Sequence, residues 1–248
     1  MRPITSLLAA TLVAAALPAL PARADEPATP VVVIVRVPKP WYAPRAVVAG
    51  KMRDTLPQYT RLPGLLFKAY TFERDSGDYG GVYYWRSRAE AEAWFDKAWF
   101  ERVRKERGAD ALVRFLDAPL SIDNQPGGTA ADSDSRAVIT VVDVVVPPGL
   151  TRERLQTLFR QAVPDHQKAA GLLRKHFTVA DGGASFGGVY LWRDEAAARA
   201  WFNEAWHARV QQQTGAPARI QWFDAPILAP TQDAANAAPA GAMIVAAP

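Results

Sequence analysis

The chain has 248 residues, 49% of them hydrophobic and 22% charged, which suits a packed core and argues against a disordered chain. The formal net charge is +4, but Arg2 and Arg23 fall in a segment expected to be removed, leaving 27 basic against 25 acidic residues and no basic run; that balance excludes the clustered cations a nucleic-acid partner calls for. Cysteine is absent, which excludes disulfides, thiolate metal sites and cysteine nucleophiles.

Residues 1–24 read as a secretory signal. Arg2 supplies the positive start, Leu7 to Leu17 the apolar run, and Ala22-Arg23-Ala24 the small-x-small cleavage pattern before Asp25. The run is short of the roughly 20 apolar residues that cross a bilayer. The expectation is therefore an exported protein, periplasmic or secreted, with no membrane association once the signal is gone. Residues 25–30 form a short polar leader.

The first repeat spans 31–120. Val31 to Val37 is β-branched and reads as a buried strand. Pro44 suits the first turn of a helix that Pro57 stops near Leu56. Gly64 to Phe72 and Tyr79 to Trp85 form a hairpin across the polar turn at Ser76-Gly77. Ser87-Arg88-Ala89-Glu90 is a capping box, and its helix runs to about Arg107 with Gly108 as the stop. Leu112 to Leu116 is the fourth strand, closed by Asp117-Ala118-Pro119. Residues 121–137 are rich in Gly, Asp, Ser and Ala and read as a linker.

A second repeat over 138–228 replays this plan 107 positions later. Gly80-Gly81-Val82-Tyr83 recurs as Gly187-Gly188-Val189-Tyr190, Trp94 and Trp99 as Trp201 and Trp206, and Asp117-Ala118-Pro119 as Asp224-Ala225-Pro226. No gap is needed from Val31 to Leu120, and about a third of the aligned positions are identical, which marks a duplicated structural unit. Residues 229–248 form an Ala- and Pro-rich tail expected to be disordered. A β-α-β-β-α-β unit gives a four-stranded antiparallel sheet with helices on one face and nothing on the other. The fold expected is thus α+β: two ferredoxin-like βαββαβ repeats packed sheet to sheet as an intrachain α/β barrel, a pseudo-dimer that is monomeric as a chain.

Several residues combine polar chemistry with an apolar face. Arg102 and Arg209 fall near the middle of the apolar helix face at 100° per residue; each either orients an acidic or enolate ligand in a cleft, or lies near the helix end and snorkels out, or pairs with Asp117 and Asp224. Lys68 shares a strand face with Leu66, Tyr70 and Phe72, and Lys175 with Leu173, Phe177 and Val179. A lysine so placed is a base or anion anchor if its pKa is lowered, and otherwise a barrel-rim ion pair. Tyr83, Trp85, Trp94 and Trp99, with Tyr190, Trp192, Trp201 and Trp206, either line a pocket for a flat ligand or simply fill the core. Gly80-Gly81 and Gly187-Gly188 lack phosphate-loop spacing and mark a bulge or a close strand approach. The three histidines, His166, His176 and His207, all lie in the second repeat, where the first has Tyr59, Ala69 and Phe100; His176, beside Lys175, is the best placed of them. Their spacing matches no metal motif, so no metal is expected.

The Pro-Gly-Leu at 63–65, Lys68, the Gly80-Gly81-Val82-Tyr83 strand and the aromatic helix after it resemble the YdhR-type mono-oxygenase family of the dimeric α/β-barrel superfamily, in tandem. The resemblance implies cofactor-independent oxygenation of a small flat aromatic or enolisable ligand bound between helices and sheet, with no cofactor. On that reading Lys175 or His176 accepts the proton, Arg209 holds the resulting anion, and Tyr190 and Trp206 shape the cavity. Lys68, Tyr83, Trp99 and Arg102 are the equivalent ligand-binding residues of the first repeat. The rival expectation is a non-catalytic periplasmic ligand-binding or accessory protein on the same fold.

Overall fold

The computed structural model describes residues 29–125, 130–231 and 243–246; the expected signal lies outside them. The first repeat comprises β1 (Val31–Val37), α1 (Arg45–Asp54), α2 (Leu56–Thr60), β2 (Leu65–Glu73), β3 (Tyr79–Trp85), α3 (Arg88–Trp94), α4 (Lys97–Arg107) and β4 (Leu112–Asp123). The second comprises β5 (Ala137–Val145), α5 (Arg152–Gln167), β6 (Leu172–Ala180), β7 (Ser185–Trp192), α6 (Glu195–Trp201), α7 (Glu204–Thr214) and β8 (Arg219–Pro230), and β9 (Met243–Ala246) follows.

Each repeat builds its own antiparallel sheet, β4-β1-β3-β2 and β8-β5-β7-β6, and the two join edge to edge through β2–β8 and β4–β6. Eight strands thereby close into one barrel, and all eight pairings are antiparallel. Closure consumes the sheet edges that would otherwise template association. Inside the barrel, Ile34, Leu66, Tyr84 and Leu116 meet Ile139, Val189, Leu191 and Phe223 in one apolar cluster. The bare face of each sheet is covered by its sibling, as the duplication requires.

Several boundaries differ from the sequence reading, each for a local reason. β4 passes through a bulge between Asp117 and Leu120 and continues to Asp123, so it pairs with β1 first and with β6 beyond. Pro119, which has no N–H to donate, falls in that bulge. The expected linker thus begins as strand, with Ile122 fully buried. Within the expected disordered tail, β8 runs to Pro230 and β9 pairs parallel with β4.

The helix expected over Ser87 to Arg107 is two helices. Ser87 does cap the first: its Oγ accepts the Glu90 N–H at 3.2 Å and donates to Glu90 Oε2 at 2.9 Å. The chain then turns at Phe95, and Asp96 Oδ1 caps a new helix by accepting the Trp99 N–H at 2.7 Å. Phe202 and Asn203 repeat the break, with Asn203 Oδ1 accepting the Trp206 N–H at 3.0 Å. Pro57 is not a stop either, and a proline at the equivalent place in the second repeat does not end its helix. Pro57 enters the short α2, and α5 continues through Pro164 to Gln167. There the buried stripe of Leu155, Phe159, Val163 and His166 outweighs the one backbone hydrogen bond that proline forfeits.

Candidate functional site

Between its helices and the outer face of its sheet, each repeat encloses a cleft. The first measures about 530 Å³ and the second about 1200 Å³. Besides valines and a proline, five residue types recur at equivalent places in both. These are the strand lysines Lys68 and Lys175, Tyr83 and Tyr190, the helix tryptophans Trp94 with Trp99 and Trp201 with Trp206, Arg102 and Arg209, and the glycines Gly80 and Gly187. The glycines are required by a close approach: a Cβ on Gly187 would stand 1.9 Å from the Val142 carbonyl oxygen, and one on Gly80 2.0 Å from that of Val35.

Lys68 and Lys175 point outward to the clefts because each strand carries a bulge just before them, between Leu65 and Phe67 and between Leu172 and Arg174. One inserted residue shifts the alternation of faces. Leu66 and Leu173 therefore turn into the barrel and do not share the face of Lys68 and Lys175, as simple alternation had suggested.

Both lysines are nearly sealed, at 2% and 3% exposure. Neither forms an ion pair among the described residues, and burial holds each amine well below its usual pKa. Their immediate neighbours differ. Lys68 Nζ sits 3.1 Å from the centre of the Tyr59 ring, 3.8 Å from Tyr70 and 4.5 Å from Tyr83. Lys175 Nζ lies 2.7 Å from His166 Nε2 and 3.7 Å from the centre of the Phe177 ring. The other nitrogen of that imidazole, Nδ1, is 2.7 Å from the Ala162 carbonyl oxygen. A carbonyl only accepts, so Nδ1 carries the proton, Nε2 presents a lone pair, and Lys175 donates to it. Burial first and the neighbouring lysine second push His166 down to about 2, so the imidazole stays neutral.

Tyr83 and Tyr190 are buried and their hydroxyls are held above the usual range, chiefly by desolvation; both are neutral donors. Trp94 and Trp201 each enclose an indole N–H that has no acceptor among the described residues. Trp99 and Trp206 wall the clefts while packing into the core with Trp85 and Trp192.

Arg102 and Arg209 do not lie mid-face. The breaks at Phe95 and Phe202 reset the helix phase, and both arginines are exposed at the cleft mouths. Their alternative partners are taken: Asp117 accepts from Arg88 at 2.9 Å, and Asp224 is held by Arg74 and Arg45.

His176 belongs to neither cleft. As the next residue on the strand it points to the opposite face from Lys175. Inside the barrel its Nδ1 meets Ser121 Oγ at 2.7 Å and its ring stacks on Tyr84 at 4.1 Å. The histidine that joins Lys175 is His166; sequence reasoning named it but preferred His176, which adjoins Lys175 along the strand. The usable signal was its alignment with Tyr59, the residue that contacts the other lysine. His207 is exposed, and no cluster of three metal-ligating side chains occurs among the described residues.

Comparison with known proteins agrees with this architecture. Residues 141–235 match the family described as "Putative mono-oxygenase ydhR". No curated protein matches the sequence. Among solved structures, one described as a putative monooxygenase from Fusobacterium nucleatum is 12% identical with a TM-score of 0.61, covering 82% of this chain and 95% of its own. A second, from Lactobacillus acidophilus NCFM, is 12% identical with a TM-score of 0.57 and covers 82% and 96%. An anthrone oxidase-like protein is 13% identical with a TM-score of 0.55 and covers 84% and 96%. Each of these alignments extends beyond a single repeat, so the two-repeat barrel is a shared fold.

Proposed function

We propose that the chain is a mono-oxygenase-like protein, a reading supported by the family match over residues 141–235, and that its second cleft oxidises a small planar phenol or enolisable aromatic with dioxygen and no cofactor. The observation that carries this reading is the Lys175–His166 pair at the floor of a cavity of about 1200 Å³. A buried amine whose protonated form is disfavoured is a competent base at neutral pH. Lys175 already directs a proton to His166, so its lone pair is available on the other side. Taking the acidic proton of a bound enol or phenol creates an ammonium and an enolate together, and each then neutralises the other in a place where either alone is costly.

The enclosed Trp201 N–H offers an otherwise unused donor, and Arg209 at the mouth attracts the substrate's acidic end. The electron-rich enolate then reacts with dioxygen. A methylene carbon becomes a carbonyl, one oxygen atom entering the product and the other leaving as water with the two methylene hydrogens, so no external reductant is consumed. We also propose that the protein acts as a monomer after export, in the periplasm or outside the cell.

The test is oxygen uptake with a panel of anthrone-like and quinol substrates. The native chain should consume one dioxygen per turnover. Lys175→Met should lower the rate by about a hundredfold or more, as loss of a general base does, and His166→Phe should also lower it. Ligand binding without oxygen uptake would make this a binding protein instead, and uptake undiminished in Lys175→Met would end the assignment.

A further inference from the structure

We infer that the first cleft is a separate, non-oxygenating recognition site for an aromatic carboxylate. This goes beyond the oxygenation reading and stands on different residues.

The lysine of the first cleft lacks what the second one has. Tyr59 stands where His166 stands in the second repeat, and it offers Lys68 a ring face and no lone-pair acceptor in line. The walls also differ. Tyr70 and Tyr79 line the first cleft where the second has Phe177 and Phe186, and Thr55 replaces Ala162. The floor is therefore rich in hydroxyls and narrow, a fit for one substituted ring.

The rim carries the decisive charge. Lys51, Arg102 and Arg107 stand against Glu106 at the first mouth, whereas the second mouth sets Arg209 and Lys168 against Asp165, with Gln213 and Thr214 replacing Glu106 and Arg107. Arg102 and Arg107 both line this cleft, and neither forms an ion pair among the described residues. Two guanidiniums without a carboxylate partner among the described residues, at the entrance of an aromatic slot, are placed for a carboxylate ligand. The ring beneath it would stack among Tyr59, Tyr83, Trp94 and Trp99, and the enclosed Trp94 N–H supplies a donor that has no acceptor among the described residues.

The experiment uses the full chain carrying Lys175→Met, so that the second cleft cannot turn over, with 4-hydroxybenzoate as the probe and 4-hydroxybenzamide as its uncharged counterpart. Calorimetry and tryptophan fluorescence should show one equivalent of carboxylate bound, with the amide at least about tenfold weaker. Arg102→Gln and Arg107→Gln should each weaken the carboxylate by about tenfold and leave the amide unchanged. Glu106→Gln should tighten it severalfold, a gain that damage to folding would not produce. Equal affinity for the two probes, two equivalents bound, or indifference to both arginine substitutions would overturn the site. Failure of oxygen uptake would leave it untouched, because no step of the binding uses Lys175 or His166.

Discussion

The two clefts sit in equivalent places of one barrel and share a lysine, a tyrosine, two tryptophans and an arginine, yet their lysines face different company. In the first, three tyrosine rings surround Lys68 Nζ. In the second, a neutral imidazole of fixed tautomer accepts from Lys175. Duplication supplied the same amine twice, and one substitution, Tyr59 against His166, separates an amine pressed between ring faces from one hydrogen-bonded to an imidazole. The comparison teaches that the chemistry of a buried amine is set by what stands within 4 Å of it. Tyrosine faces favour the charged form, whereas a lone-pair acceptor orders the amine and leaves it a base.

The largest effect expected tests what the clefts share. Gly187→Val and Gly80→Val should each cost about 3 kcal/mol or more, because the new Cβ meets a strand carbonyl that cannot move aside. Chemical denaturation should show comparable losses for the two. A large loss at one glycine only would mean that the halves are not structurally equivalent.

The next effect separates the lysines. Each has a folded-state pKa below its unfolded value, so between those two values the unfolded chain binds more protons and stability rises with pH. Lys68→Met should therefore stabilise the protein by about 2 kcal/mol at pH 7, and the gain should shrink as pH approaches the ordinary lysine value. Lys175→Met should gain less, since it also strips His166 Nε2 of its donor. Urea titrations of both variants at pH 7 and pH 10 check the order. An equal gain at both lysines, or a gain that grows with pH, would contradict the geometry. His166 adds its own dependence: with a folded value of about 2 against an unfolded 6.5, its contribution is lost progressively below pH 6.5.

Much of the fold was legible because the chain states it twice. The 107-residue period, the Gly-Gly strand and the capping box at Ser87 fixed element order and the pairing of the two sheets. What was not legible depended on single-residue departures from a regular period. The bulges before Lys68 and Lys175 turned Leu66 and Leu173 into the barrel, and the caps at Asp96 and Asn203 restarted a helix that periodicity had run straight through. The second departure moved Arg102 and Arg209 from mid-face to rim. The structure places the lysines, Tyr83, Tyr190 and the helix tryptophans that the sequence singled out on the linings of the two clefts. His166 was set aside for His176 because neighbours along a strand look, in sequence, as though they share surroundings, whereas they point to opposite faces.

The smallest effect concerns the two seams where the repeats join, which are also unequal. Across β4–β6, Ser121 faces His176 and Asp123 faces Arg174; the equivalent pairs across β2–β8 are Leu228 with Ala69 and Pro230 with Phe67. One seam thus closes the barrel with apolar contacts and the other with hydrogen bonds. In the polar seam, Ser121 Oγ donates to Tyr84 Oη at 3.3 Å, which leaves His176 Nδ1–H to donate to Ser121 at 2.7 Å. Burial, and then the Arg174 charge, hold His176 neutral. Arg174 donates through Nε to Asp123 at 3.1 Å. Such a seam specifies register, because a shift by one residue would bury each polar partner against carbon. Ser121→Ala should cost about 1 kcal/mol, the worth of a buried neutral hydrogen bond, seen as a drop of about 2–4 °C in melting temperature for a domain of this size. Activity at the second cleft should not change, because His176 faces the barrel interior and Lys175 the cleft. A loss of oxygen uptake in Ser121→Ala at full stability would instead place His176 in the reaction and make the two faces of β6 one site.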